Sequence, residues 1–164
     1  MMLFLHCLVY NALAVSALLP IMVKNPRYMM QDYPAEITEG LEGKTVKEKK
    51  ESFLFGLPFI SILFLYPLIF SLYGKLGLHY TFFKNWMAVL VIALSFNVVD
   101  LLILDWLIFC SITPGWMVIP GTEGNPGYKN YLYHFIGFLK GCVFSVAGSI
   151  IFAAISEAAG LILK

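Results

Sequence analysis

Four uninterrupted apolar runs dominate this chain and leave little choice of fold. They extend over about residues 2–23, 53–73, 86–112 and 131–155, each as long as the roughly 20 residues a helix needs to cross about 30 Å of hydrocarbon. A membrane β-barrel would show short alternating strands instead. The runs predict an all-α, integral membrane four-helix bundle, a single four-span domain over residues 1–164. Composition agrees: 60% of the residues are hydrophobic and 13% charged, and the mean hydropathy is +0.81. An ordinary soluble enzyme is nearer 45–50% apolar and 25% charged.

Charge limits the partners. Eleven Lys and Arg stand against ten Asp and Glu, a net charge of +1, so no basic excess exists for nucleic acid. The expected partner is the lipid bilayer. Lys24, Arg27, Lys44, Lys47, Lys49 and Lys50 fall in the first connection and Lys129 in the third. Only Lys75, Lys84 and the terminal Lys164 fall on the opposite side. The positive-inside rule then places the first and third connections in the cytoplasm and both termini outside. No positive segment precedes the Ala12-Leu13-Ala14 triplet, and the apolar run continues to Val23, so the N-terminus reads as an uncleaved helix.

The connections differ in character. Lys24 to Pro34 mixes proline, aromatic and charged residues and reads as an interfacial segment. Glu39 to Glu51 alternates in sign and reads as the solvated start of the second helix. The third connection, Thr113 to Tyr128, is rich in Pro and Gly and carries Trp116 before Met117-Val118-Ile119, which suggests an ordered cap over the cytoplasmic mouth. It contains no phosphate-binding glycine motif. Cys7, Cys110 and Cys142 are isolated in apolar sequence and form no metal-binding spacing, so neither a metal nor another cofactor is expected.

Polar groups inside the apolar runs carry the functional reading, since each costs at least about 2.5–3.5 kcal/mol on insertion scales. At 100° per residue, Asp100 lies about 60° to one side of Asn97 and Asp105 about 80° to the other, on one face that should point inward. Counting along the helices puts Asp100 near the midplane and Asp105 at a depth similar to Lys140, so an Asp105–Lys140 ion pair is expected. Glu157 near the outer end should snorkel. In the fourth helix, Gly137, Gly141 and Ser145 form a small-residue stripe suited to close contact with another helix or with a second protein, including a second copy of this chain. His134 falls on nearly the same stripe.

Arg27, Asp32, Tyr33, Asp105, Glu123, His134 and Lys140 all belong to the cytoplasmic half, where they could converge on one pocket. Three functions compete. The leading one is an oligomeric proton- or cation-linked transport or channel-like protein that uses Asp100 and Asn97. A second is a non-catalytic assembly subunit joined to its partner through Gly137, Gly141 and Ser145. The third is a membrane enzyme acting on a lipid-linked substrate at the cytoplasmic interface, with Asp105 or His134 as acid/base and Arg27 and Lys140 on an anionic head group. Two segments, Asn25-Pro26-Arg27 with Asp32-Tyr33-Pro34 and Asp105-Trp106 with Pro120-Gly121-Thr122-Glu123-Gly124 and His134, loosely resemble a group of small four-helix bacterial membrane proteins of no assigned activity. The resemblance implies a bacterial inner-membrane protein and transfers no catalytic residue.

Overall fold

The computed structural model describes residues 2–163, and these are helical throughout their ordered elements, with no strand among them. Four helices are long and apolar enough to cross a membrane: α1 (Met2–Lys24), α3 (Val46–Leu76), the unbroken helix Phe82–Ile112 and α5 (Tyr131–Ile162). The third is an α-helix, α4, over Phe82–Val99, and continues as a π-helix over Asp100–Ile112. A one-turn helix, α2 (Ala35–Thr38), lies in the first connection. Lys164, used in assigning the topology, lies outside the described residues.

Local chemistry sets the helix ends. Pro26 ends α1, having no N–H to donate, and Asn25 caps a short 3-10 helix over Pro26–Asp32 by accepting from Arg27 N at 3.0 Å. The charged stretch expected to be helical from Glu39 turns at Gly40, where φ is +80°, and becomes helical only at Val46. There Thr45 and Glu48 form a reciprocal capping box. Arg27 reaches across from the 3-10 segment to Glu48 at 2.7 Å and to the carbonyls of Glu42 and Gly43.

α4 packs against α5, and α1 packs against α3 and α4. Tyr10, Ala14, Leu18, Ile21, Phe70, Val89, Ile92 and Phe96 make the buried core between them. A second core lies where the first and third connections meet, around Tyr33, Ile37, Phe109, Met117, Ile119 and Tyr128. Tyr33 donates to Met117 O at 2.8 Å, and Asn125 Nδ2 donates to Glu36 O at 2.7 Å. Gly127 is required there, because a Cβ would stand 2.8 Å from Ile37 Cγ1. The proline- and glycine-rich connection is therefore an ordered layer across this end.

At the other end, Asn85 is buried and donates to Ser71 Oγ at 3.0 Å and to Ser156 Oγ at 2.8 Å. Gly74 admits it, since a Cβ there would sit 2.6 Å from Asn85 Oδ1. Glu157 does not extend outward by itself: Lys75 of α3 pairs with it at 2.6 Å, because the two helix ends converge.

The Arg27 guanidinium, with the Thr45 backbone N–H, holds the Glu48 carboxyl at about 2, below its ordinary 4.5. Its stabilisation is complete above pH 4.5 and is lost as the pH falls toward 2. The Glu48→Gln variant should melt below wild type at pH 7, with the gap closing across that window in thermal scans.

Candidate functional site

The π-helix builds the site. In an α-helix, residues five apart point about 140° from each other, whereas an i→i+5 ladder sets them one turn apart on nearly the same face. The ladder ends at Thr113, whose N–H donates to Ile108 O at 2.8 Å and whose φ is +50°. Asp100 and Asp105 are thus brought onto one wall of a cavity of about 410 Å³. Asp32 joins them from the 3-10 segment, and Tyr133, His134 and Lys140 from α5. Leu18, Met22, Met29, Phe59 and Leu104 supply apolar wall.

Asp105 pairs with His134, not with Lys140. Their Oδ1 and Nδ1 atoms are 3.0 Å apart, His134 being 6% exposed and the Asp105 side chain 26%. The reason is angular: Lys140 lies about 120° around α5 from His134, and the widened helix turns Asp105 toward the first turn of α5. Lys140 is exposed at the cavity margin and has no ion pair among the described residues. The His134 ring lies 4.8 Å from the Phe109 ring, and its Nε2 is buried without a hydrogen-bond partner. Asp105 therefore presents the accessible surface of the pair, with His134 behind it.

Asp32 accepts from Gln31 Nε2 at 2.7 Å. Although part of its surface is exposed, desolvation by its surroundings pushes its carboxyl above the ordinary value, while the Gln31 bond and the Lys44 ammonium pull it down. Asn97 lies at the inner end of the cavity and donates to Ser145 Oγ at 2.8 Å, so it is not bonded to Asp100. Gly141 permits this approach, for a Cβ on it would stand 2.9 Å from Asn97 Oδ1. Gly141 and Ser145 thus face α4 within the same chain, while Gly137 has no atom within 4 Å of its Cβ position.

Of the residues expected to converge, Asp32, Asp105, His134 and Lys140 line this cavity with Asn97 and Asp100. Arg27 and Glu123 do not, and Tyr33 lines a smaller cavity of about 50 Å³ beside it, with Asp32, Asp105 and His134. Arg27 is committed to Glu48, Tyr33 to Met117 O, and Glu123 is exposed and accepts from Gly121 N at 3.1 Å. Tyr133 also lines the cavity, and adjacency to His134 is its only signal in the sequence. Among the described residues no three His, Cys, Asp or Glu are grouped to hold a metal ion.

No protein-family model matches this chain, and no curated protein or solved structure is detectably similar to it.

Gly141→Ala should displace the Asn97 amide and cost about 1 kcal/mol, near the upper part of the range for polar contacts between apolar helices. Ser145→Ala should cost a similar amount. The double variant should fall well short of the sum, which thermal unfolding of the four proteins would measure.

Proposed function

We propose that the protein is a multi-pass, four-helix membrane protein whose Asp105–His134 pair is the acid–base centre of a reaction on an amphiphile at the cytoplasmic interface. The observation that carries this reading is the 3.0 Å contact between Asp105 and a buried His134 on the wall of a cavity of about 410 Å³. That volume is within the roughly 300–1,000 Å³ range of small-molecule sites. Phe4, Ile69, Phe83, Val143 and Phe144 are more than 60% exposed on the outward faces, which suits hydrocarbon surroundings. The positive-inside rule supports a cytoplasmic location for the two packed connections and the site between them, and the resemblance to small bacterial membrane proteins implies an inner membrane.

In the proposed chemistry the Asp105 carboxylate takes a proton from a polar group of the bound molecule, leaving that group with the electron pair and Asp105 neutral, while the imidazole hydrogen-bonded behind it keeps the carboxyl turned toward the cavity. Exposed Gly137 and Lys140 form a margin of the cavity from which a lipid-like molecule could enter sideways. Transport through Asn97 and Asp100 would need a path to the opposite end. In that half a cavity of about 240 Å³ continues from Asn97, lined mainly by apolar side chains such as Leu63, Phe96 and Phe152, with no Asp, Glu, His, Lys or Arg among its described lining residues to relay a proton or cation. An assembly role would seat a partner on the small-residue stripe, where Gly141 and Ser145 already meet Asn97.

The test uses purified protein in liposomes of total inner-membrane lipid containing an entrapped pH-sensitive dye. Wild type should convert a lipid species, seen by mass spectrometry, and Asp105→Asn should slow conversion by at least about 100-fold, as expected for loss of a general base. Dissipation of an imposed pH gradient that depends on Asp100, with the lipids unchanged, would replace this reading with transport. Lipids unchanged by wild type and no proton flux would overturn it.

A further inference from the structure

The i→i+5 ladder that turns Asp105 toward the cavity ends at Thr113, and the bonds there hold its register. In an α-helix the Thr113 N–H would donate to Phe109 O, four residues back. It donates instead to Ile108 O at 2.8 Å. In the wider ladder Phe109 O would then look to residue 114, which is a proline and has no N–H. The Thr113 hydroxyl supplies the missing donor, reaching Phe109 O at 2.8 Å. The side chain thus occupies the acceptor that its own amide would use in the narrower helix.

That hydroxyl has one proton and a second acceptor in reach, Cys110 O at 3.5 Å. Lys129 removes the competition. Its ammonium donates to Cys110 O at 2.5 Å and to Ser111 O at 3.1 Å, two carbonyls beyond the last donor of the ladder. Its third contact is with Thr113 Oγ1 at 2.8 Å. An ammonium only donates, so Oγ1 accepts there and its proton is left for Phe109 O. A cation is also favoured at a helix C-terminus by the backbone dipoles. Lys129 ends a short 3-10 helix, Pro126–Lys129, which Asn125 caps by accepting from Gly127 N at 2.8 Å while donating to Glu36 O in the first connection. Neither Thr113 nor Lys129 lines the cavity.

We propose that Lys129 is a positioning residue for the Asp105–His134 pair: with the Thr113 hydroxyl it locks the end of the π-helix and keeps Asp105 turned toward His134. Without the ammonium the hydroxyl proton is shared with Cys110 O, and the donor left to Phe109 O is the Thr113 amide, whose capture returns the turn to an i→i+4 register. In that register Asp100 and Asp105 point about 140° apart, and the 3.0 Å contact with His134 opens. The effect on geometry stands by itself, whereas any effect on lipid conversion rests on the acid–base reading.

The experiment is proton-detected solid-state NMR of the full-length protein, labelled with 15N-histidine, in lipid vesicles. The histidines are His6, His79 and His134. The Nδ1 proton that His134 donates to Asp105 should give a downfield signal, identified by its loss in Asp105→Asn. His6, whose Nδ1 lies 2.9 Å from the Tyr66 hydroxyl in the opposite half, is the internal control. Lys129→Met and Thr113→Val should each abolish the His134 signal and leave that of His6, while Lys129→Arg and Thr113→Ser keep both. In the liposome assay Lys129→Met should slow conversion by up to about 100-fold, the effect of a small misplacement of a reacting group. Thr113→Val, which removes a single hydroxyl outside the cavity, keeps the test open if Lys129→Met does not fold. A lowered melting temperature with the His134 signal unchanged in both variants would make the cap a stabilising contact only and overturn the proposal. Loss of the signal in Lys129→Met and its presence in Lys129→Arg supports the proposal even where wild type leaves every lipid unchanged, an outcome that removes the acid–base reading alone.

Discussion

The long helices show apolar faces outward, and most of the polar side chains they carry inside are answered by another helix. That need for partners organises the molecule. Asn85 meets Ser71 and Ser156, Asn97 meets Ser145, Asn11 meets Ser95, and His6 meets Tyr66. Lys75 meets Glu157 and Asp105 meets His134. These contacts join residues far apart in sequence, and each fixes the rotation of one helix against its neighbour. Glycine makes two of them possible, at Gly74 beside Asn85 and at Gly141 beside Asn97, where a methyl group would collide with the amide.

The two ends of the molecule use this requirement differently. Around Asn85 the polar atoms are packed closely and enclosed by serine hydroxyls, an arrangement that joins three helices and leaves little room. Around Asp105 the polar groups line open space. Asp32 and Asp100 face the same cavity as the Asp105–His134 pair, and the layer formed by the first and third connections lies across that end. The difference follows from the backbone: the π-helix carries two acidic side chains on one wall, and the aromatic layer of Tyr33, Phe109 and Tyr128 props the connections beside them.

Much of the architecture was legible in the residues themselves, because apolar length and proline or glycine punctuation are local properties. The four long helices, the end of α1 before Pro26 and the start of α5 at Tyr131 could all be read that way. Facing was not legible. The 100° rule fails from Asp100 onward, and no residue between Asp100 and Ile112 announces a π-helix, so Asp105 turned to His134 and not to Lys140. Arg27 and Glu123 lay on the right side of the molecule but were taken up by local partners, Glu48 and the Gly121 amide.

The sequence by itself determined the helical class, the four long apolar elements and the inventory of polar groups within them, since these depend on composition and period along one dimension. Only the tertiary structure decided which of those groups meet. Pairing depends on helix rotation, on close approach at Gly74 and Gly141, and on the i→i+5 widening of one helix, all of which are set by packing between segments distant in the chain.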